Sequence, residues 1–274
     1  MARTRVRTPR IARIASLVAL SAALPLLTGC GSGDTSSSGT GNPKAAGRRP
    51  VVVATTTWEG AFAKAAGAED VTVIVPQSVH HAPDYDPKPS DLAAVAQADF
   101  VLYAPFEPYA AKIKEAAGSR AKLVEVNLDN DPARAGVEVT RLGDLFGTKG
   151  AAGQWKTRLD GEVKKLNGEL KTAWPGGKSP SVVTQVFTAW AAGLAGATAV
   201  GTYGPEAVTP SRLATLSAKK PAFVLDNAHM STGTVLPDSG AKQVDIVNYP
   251  GEDLDLLAVY RNAAAELKKA MAGS

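Results

Sequence analysis

The chain has 274 residues, with 30 Lys and Arg against 26 Asp and Glu, three histidines and a single cysteine. At 45% hydrophobic and 20% charged residues it is a globular composition with enough chain for a sizeable core, which excludes a disordered chain and a multi-spanning membrane protein. One cysteine excludes a disulfide framework, a thiolate zinc cluster and a Cys-x-x-Cys redox pair.

In chain order, Arg3, Arg5, Arg7, Arg10 and Arg13 stand in a segment without acidic residues. Ile14 to Leu27 then form an apolar run too short for a membrane span but suited to the h-region of a signal peptide. Leu27-Thr28-Gly29-Cys30 resembles a bacterial lipobox, in which the cysteine is lipidated and becomes the mature N-terminus. Residues 1–29 therefore read as a signal peptide and residues 30–49, rich in Gly and Ser, as a lipidated flexible tether spanning roughly 25 Å. The overall charge of +4 belongs to this signal: without its five arginines the mature chain has 25 basic and 26 acidic residues, net −1. Nucleic acid drops out as a partner, because no basic-aromatic stripe accompanies that charge.

From Pro50 onward β-rich runs alternate with helical patterns, the signature of parallel α/β units. Strands are expected at Val51–Ala54, Val71–Val75, Phe100–Tyr103 and Leu123–Val126, with helices at Trp58–Ala66, Leu92–Gln97 and Tyr109–Ala117. A long helix follows. Trp155, Leu159, Val163, Leu166, Leu170 and Trp174 are spaced 4, 4, 3, 4 and 4, which puts all six on one face. Asp160 and Lys164 fit an i,i+4 pair on the polar side, and Pro175-Gly176-Gly177 stops the helix. The second half continues with strands at Ser181–Val186, Ala222–Leu225 and Gln243–Val247, and helices at Trp190–Ala195 and Arg212–Ala218. A final helix carries Leu257, Tyr260, Ala264, Leu267 and Met271. The expected fold is α/β, with two parallel-sheet lobes (50–149 and 177–274) joined by a long rigid α-helix over 150–176. No sequence repeat relates the halves.

In open α/β sheets ligands sit beyond the carboxyl ends of the strands, which singles out the loops after Val75 and after Leu225. All three histidines fall there: His80 and His81 in the first loop, His229 in the second. Imidazole with carboxylate suits Zn²⁺, Mn²⁺ or Fe²⁺ held between two lobes. The alternative is that His80 and His81 face solvent and His229 caps a turn, because no fixed ligand spacing is present. Gly177-Lys178-Ser179 imitates the end of a P-loop, but Thr172 stands at its first glycine position and a strand follows. No G-x-S-x-G, H-E-x-x-H or strand-linked G-x-G-x-x-G occurs, and nothing argues for an enzyme.

Asp84-Tyr85-Asp86-Pro87-Lys88-Pro89-Ser90-Asp91, followed by Ala98-Asp99-Phe100-Val101-Leu102-Tyr103, resembles the H-x-Y-E-P-x-P-x-D and a-D-l-v-x-Y motifs of the zinc/manganese solute-binding proteins of ABC importers. Glu107-Pro108, Gln185 to Trp190, Thr209 to Ala214 and Phe223 to Asp226 are similar to later segments of that family, in the same order. The resemblance implies two α/β lobes on a rigid helical backbone and a lipid-anchored, extracytoplasmic, monomeric receptor on the cell membrane. Its cargo would be a divalent transition metal (Zn or Mn) held between the lobes and passed to an ABC permease. Of the family's four metal-ligand positions, the first falls on Pro83, the second on Asn127, the third on Gln185, and only the acidic fourth is kept, as Asp226. The expected ligands are therefore Asp226, His81, His229 and His80, with Asn127 and Gln185 lining the cleft and Cys30 carrying the lipid. Two other readings remain: a receptor for a chelated or organic ligand, or an adhesion or assembly module of the cell envelope with a degenerate site. A bare-ion site should be small and bring His229 close to His80 or His81; a chelate site should be wide and lined with Tyr, Trp or Arg.

Overall fold

The structure, a computed structural model, describes residues 49–79, 84–231 and 233–272. The signal peptide, Cys30, nearly all of the tether, His80 and His81 lie outside the described residues. No helix among those described is long and apolar enough to cross a membrane.

The first sheet has strand order β2-β1-β3-β4, all parallel, from β1 (Val51–Ala54), β2 (Asp70–Val73), β3 (Phe100–Tyr103) and β4 (Lys122–Glu125). Its two central strands read as unbroken apolar runs because both of their faces are covered. Parallel neighbours need crossovers, supplied here by α1 (Thr57–Ala65), α2 (Pro89–Gln97) and α3 (Ala110–Ala117). Thr56 and Glu59 close a capping box on α1. At the start of α2 the Tyr85 hydroxyl donates to Asp91 Oδ2 at 2.7 Å, and the Lys88 N–H donates to the same oxygen at 2.8 Å. The Tyr-x-Pro-x-Pro-Ser-Asp block is thus a clasp that fixes a proline-rich turn to a helix N-terminus. It also pushes the Tyr85 hydroxyl up to about 12, through burial and the Asp91 carboxylate.

A helix not expected from the sequence follows: α4 (Pro132–Phe146). Asp131 caps it by accepting from the N–H groups of Ala133 and Arg134, Pro132 fills the first turn, and Gly147 ends it at φ 75°. The long helix, α5 (Lys149–Thr172), has 24 residues and so spans about 36 Å. Its apolar stripe is as expected: Trp155, Leu159, Leu166 and Leu170 are buried, and Val163 packs beside them. The helix stops before Trp174, whose Nε1 donates to the Ala195 carbonyl at 3.0 Å. Asp160 pairs with Lys156 at 2.7 Å, one turn before it, instead of with Lys164.

The second sheet repeats the first, β6-β5-β7-β8, from β5 (Ser181–Gln185), β6 (Thr198–Tyr203), β7 (Phe223–Asn227) and β8 (Lys242–Ile246). α6 (Ala189–Ala195) and α7 (Pro210–Ser217) are its crossovers, and α8 (Leu256–Ala272) closes the chain. The equal strand orders are a repeat of topology with no trace in the residues. β6 was not expected; it is an edge strand whose register shifts beside Val182 and Val183. A Cβ on its Gly201 would come within 2.5 Å of Leu216 Cδ2.

One core runs through both lobes. Residues of α1, α4, α5, α6 and α8 bury Val52, Leu102, Leu159, Leu170, Phe223, Leu225 and Tyr260 in a single cluster. Two smaller cores lie separately, around Ile113 in the first lobe and around Leu216 in the second. α8 returns over α5, where Arg261 meets Glu162 at 3.2 Å and Lys268 meets Glu169 at 2.9 Å.

Helical glycines separate into two kinds. A Cβ at Gly143 would overlap that of Ala152, where α4 crosses α5, whereas Gly153, Gly161 and Gly168 of α5 face open space. Gly153→Ala and Gly168→Ala are each expected to stabilise the fold by about 0.5–1 kcal/mol through helix propensity. Gly143→Ala, the same exchange, is expected to destabilise it by roughly 1–3 kcal/mol through overpacking. Urea midpoints of the three variants check this opposition of sign.

Candidate functional site: an aromatic cleft between the lobes

A cavity of about 920 Å³ opens where the carboxyl ends of the two sheets face each other. Its walls follow seven of the eight strands in turn: Trp58 after β1, Phe106 after β3, Leu128 to Asp131 after β4 and Val186 to Trp190 after β5. Pro205 comes after β6, His229 and Met230 after β7, and Asn248 and Tyr249 after β8.

Hydrogen bonds tie the lobes together at this cleft. Trp58 Nε1 donates to Asn130 Oδ1 at 3.0 Å, Asn130 Nδ2 to the Asn248 carbonyl at 2.9 Å, and Trp190 Nε1 to Asn248 Oδ1 at 2.9 Å. Two indoles and two amides thus join residues from both halves. Tyr249 completes the wall, edge-on to Trp58 with centroids 4.8 Å apart and to His229 at 4.5 Å. At the rim Arg134 Nη1 lies 2.6 Å from Asp129 Oδ2, so these two charges cancel.

Next to Trp58, in the first lobe, sit two buried carboxylates. Glu59 receives the N–H and the hydroxyl of Thr56, while Glu107 receives the Ala104 N–H at 3.1 Å and the Tyr109 hydroxyl at 3.1 Å. Glu107, of the Glu-Pro step, thus braces the turn between β3 and α3. Burial, and then the Glu59 charge, push Glu107 up to about 8; burial pushes Glu59 up as well. The Tyr249 hydroxyl is raised by burial and by both carboxylates, and stays a neutral donor.

The residues singled out from sequence do not all meet here. His229 lines the cleft, its N–H donating to Asn227 Oδ1 at 3.0 Å. Asp226 is 2% exposed at the end of β7 and accepts the Tyr203 hydroxyl at 2.6 Å. Burial and that carboxylate hold Tyr203 well above the ordinary phenol range. Gln185, expected to line the cleft, instead turns its Oε1 onto the Phe187 N–H at 2.6 Å, capping its own turn. Asn127 accepts the Asp129 N–H at 3.0 Å and faces a separate shallow hollow beside Arg141. Both side chains are short and are captured by backbone two residues on, a local bond that outcompetes projection into the cleft. Among the described residues no group of three or more His, Cys, Asp or Glu side chains is placed to hold a metal ion.

The aromatic wall was missed. Trp58, Phe106, Phe187, Trp190 and Tyr249 come from four segments, after β1, β3, β5 and β8, and no spacing links them. The one usable signal was that each lies shortly after a strand's carboxyl end.

Residues 52–147 match the family described as zinc-uptake complex component A, periplasmic. No curated protein matches the chain by sequence. Similar solved structures include the laminin-binding protein Lmb of Streptococcus agalactiae, described as bifunctional with adhesin and metal transporting activity: 16% identity, TM-score 0.59, covering 80% of this chain and 99% of that one. The solute-binding protein FpvC of P. aeruginosa, in complex with Ni²⁺, has 14% identity and a TM-score of 0.61 over 82% of this chain and 96% of its own. AdcAII of Streptococcus pneumoniae has 17% identity and a TM-score of 0.57, over 80% and 99%. Identities this low speak for the fold. Sequence over the first lobe thus matches one family model, and the fold of both lobes matches that of these solved metal-receptor structures.

Proposed function

We propose that this chain is the lipid-anchored, extracytoplasmic capture component of an ABC importer, a monomer that carries a divalent transition metal, zinc or manganese, to a permease. The observation that supports it most is the cleft, built from the carboxyl ends of both sheets and reached by His229. In the bare-ion form of this reading the ligands are His80, His81, His229 and Asp226. Four of the six exposed large hydrophobics among the described residues, Phe106, Val186, Phe187 and Met230, lie in that cleft. This favours capture of a ligand over adhesion through an outer face.

Deleting the gene from its source organism is expected to lower cellular zinc or manganese several-fold in medium where that metal is limiting, and the full-length chain should restore it. Elemental analysis of washed cells reads the result. Unchanged contents of both metals would sink the proposal.

A further inference from the structure

The cleft is far too large for an ion alone. A divalent ion with six waters, at about 30 Å³ per water, occupies roughly 200 Å³, against a cavity of about 920 Å³. That volume lies in the range of sites for drug-sized organic molecules, roughly 300–1,000 Å³. The lining agrees with the size. Trp58, Phe106, Phe187, Trp190, Met230 and Tyr249 line it, and Phe106 is 74% and Phe187 48% exposed. Apolar surface gathered in a concavity marks a binding site for a matching surface.

The polar groups point the same way. The Asp226 carboxylate accepts from Tyr203, and the amide oxygens of Gln185 and Asn127 accept from backbone. Asp131 is engaged by the N–H groups of Ala133 and Arg134, and Asp129 by the Arg134 guanidinium. Each of these oxygen-bearing groups thus already accepts a hydrogen bond, while the rings of Phe106 and Phe187 stand open to the cleft. The rim carries two carboxylates against one guanidinium, which suits a neutral or cationic guest, and Trp and Tyr faces attract cations.

From this surface we infer that the cargo enters as a metal already chelated by an organic ligand with planar aromatic arms, neutral or cationic overall. The inference rests on the receptor reading above and specifies its substrate class. The arms pack between Trp58 and Tyr249 on one side and Phe106, Phe187 and Met230 on the other. The metal needs no ligand from the protein.

The test uses the full chain in detergent and three probes: nickel(II) tris(1,10-phenanthroline), which is inert and dicationic, 1,10-phenanthroline alone, and Ni²⁺ alone. Trp58 and Trp190 report occupancy by fluorescence quenching. The complex is expected to quench saturably, and each separate component to bind at least tenfold more weakly. The double variant Phe106→Ala/Phe187→Ala, at two exposed positions that leave the core intact, is expected to weaken the complex by at least about tenfold. The inference is overturned if the complex does not bind, if free phenanthroline or Ni²⁺ binds as tightly, or if the double variant binds unchanged. Tight Ni²⁺ binding alone would remove the chelate and leave the receptor reading to the uptake experiment, which does not depend on the form of the metal.

Discussion

Leu159→Ala is expected to destabilise the fold by about 3 kcal/mol, the usual cost of emptying a fully buried leucine site. Leu159 is 1% exposed in the middle of α5, within the core that both lobes share. The cavity would be walled by α4 and α5, whose close crossing at Gly143 and Ala152 leaves little freedom to collapse. For a domain of this size the melting temperature should fall by roughly 6–12 °C. Because the core is continuous, both lobes should unfold together, in one transition shifted as a whole. Two separated transitions, or a shift under 2 °C, would show that the lobes do not share their stability.

Raising the pH from 5 to 8 is expected to destabilise the protein through Glu59 and Glu107, by roughly 3–4 kcal/mol. Both carboxyls are held above the usual carboxylate value, Glu107 at about 8, chiefly by burial. Between about 4.5 and 8 the folded chain therefore holds protons that the unfolded chain has released, so stability falls as pH rises. Below about 4.5 both states are protonated and the effect vanishes. Glu59→Gln keeps an acceptor for the Thr56 N–H and removes one of the two charges. It should be close to neutral at pH 5 and should raise the melting temperature by several degrees at pH 8. Melting curves at the two pH values check this; an equal effect at both would mean that the pair does not interact through charge.

The elements legible in the sequence share one property: their neighbours bury them strongly and uniformly. β1, β3, β5 and β7 are central strands; β1 and β3 read as apolar runs, and β5 and β7 carry shorter ones at Val182–Val183 and Phe223–Leu225. α5 shows a full stripe because it packs one face along the core while the other stays wet. α4 was missed although Asp131-Pro132 and Gly147 mark its ends. Its buried Val139, Leu142 and Phe146 alternate with Gly136, Gly143 and Ala135, the small residues that allow it to approach α5. Small residues chosen for close packing carry no hydrophobic signal. β6 escaped for a related reason: an edge strand buries little, and its one tight position, Gly201, has no side chain to read.

By itself the sequence determined the fold class, the long helix and the resemblance carried by Tyr85 to Asp91. Each rests on neighbours in the chain or on a fixed period. Only the tertiary structure decided what the cleft is made of. Trp58, Phe106, Phe187, Trp190 and Tyr249 converge from segments after four different strands because two parallel sheets of equal order present their carboxyl ends to each other. The structure likewise turned Gln185 and Asn127 from the cleft onto their own backbone and set Asp226 against Tyr203. Residue type and position along the chain list the groups available for binding. Which of them are already committed to one another is a property of distance in space, and that is what moves the weight of this site from metal-ligating side chains to an aromatic wall.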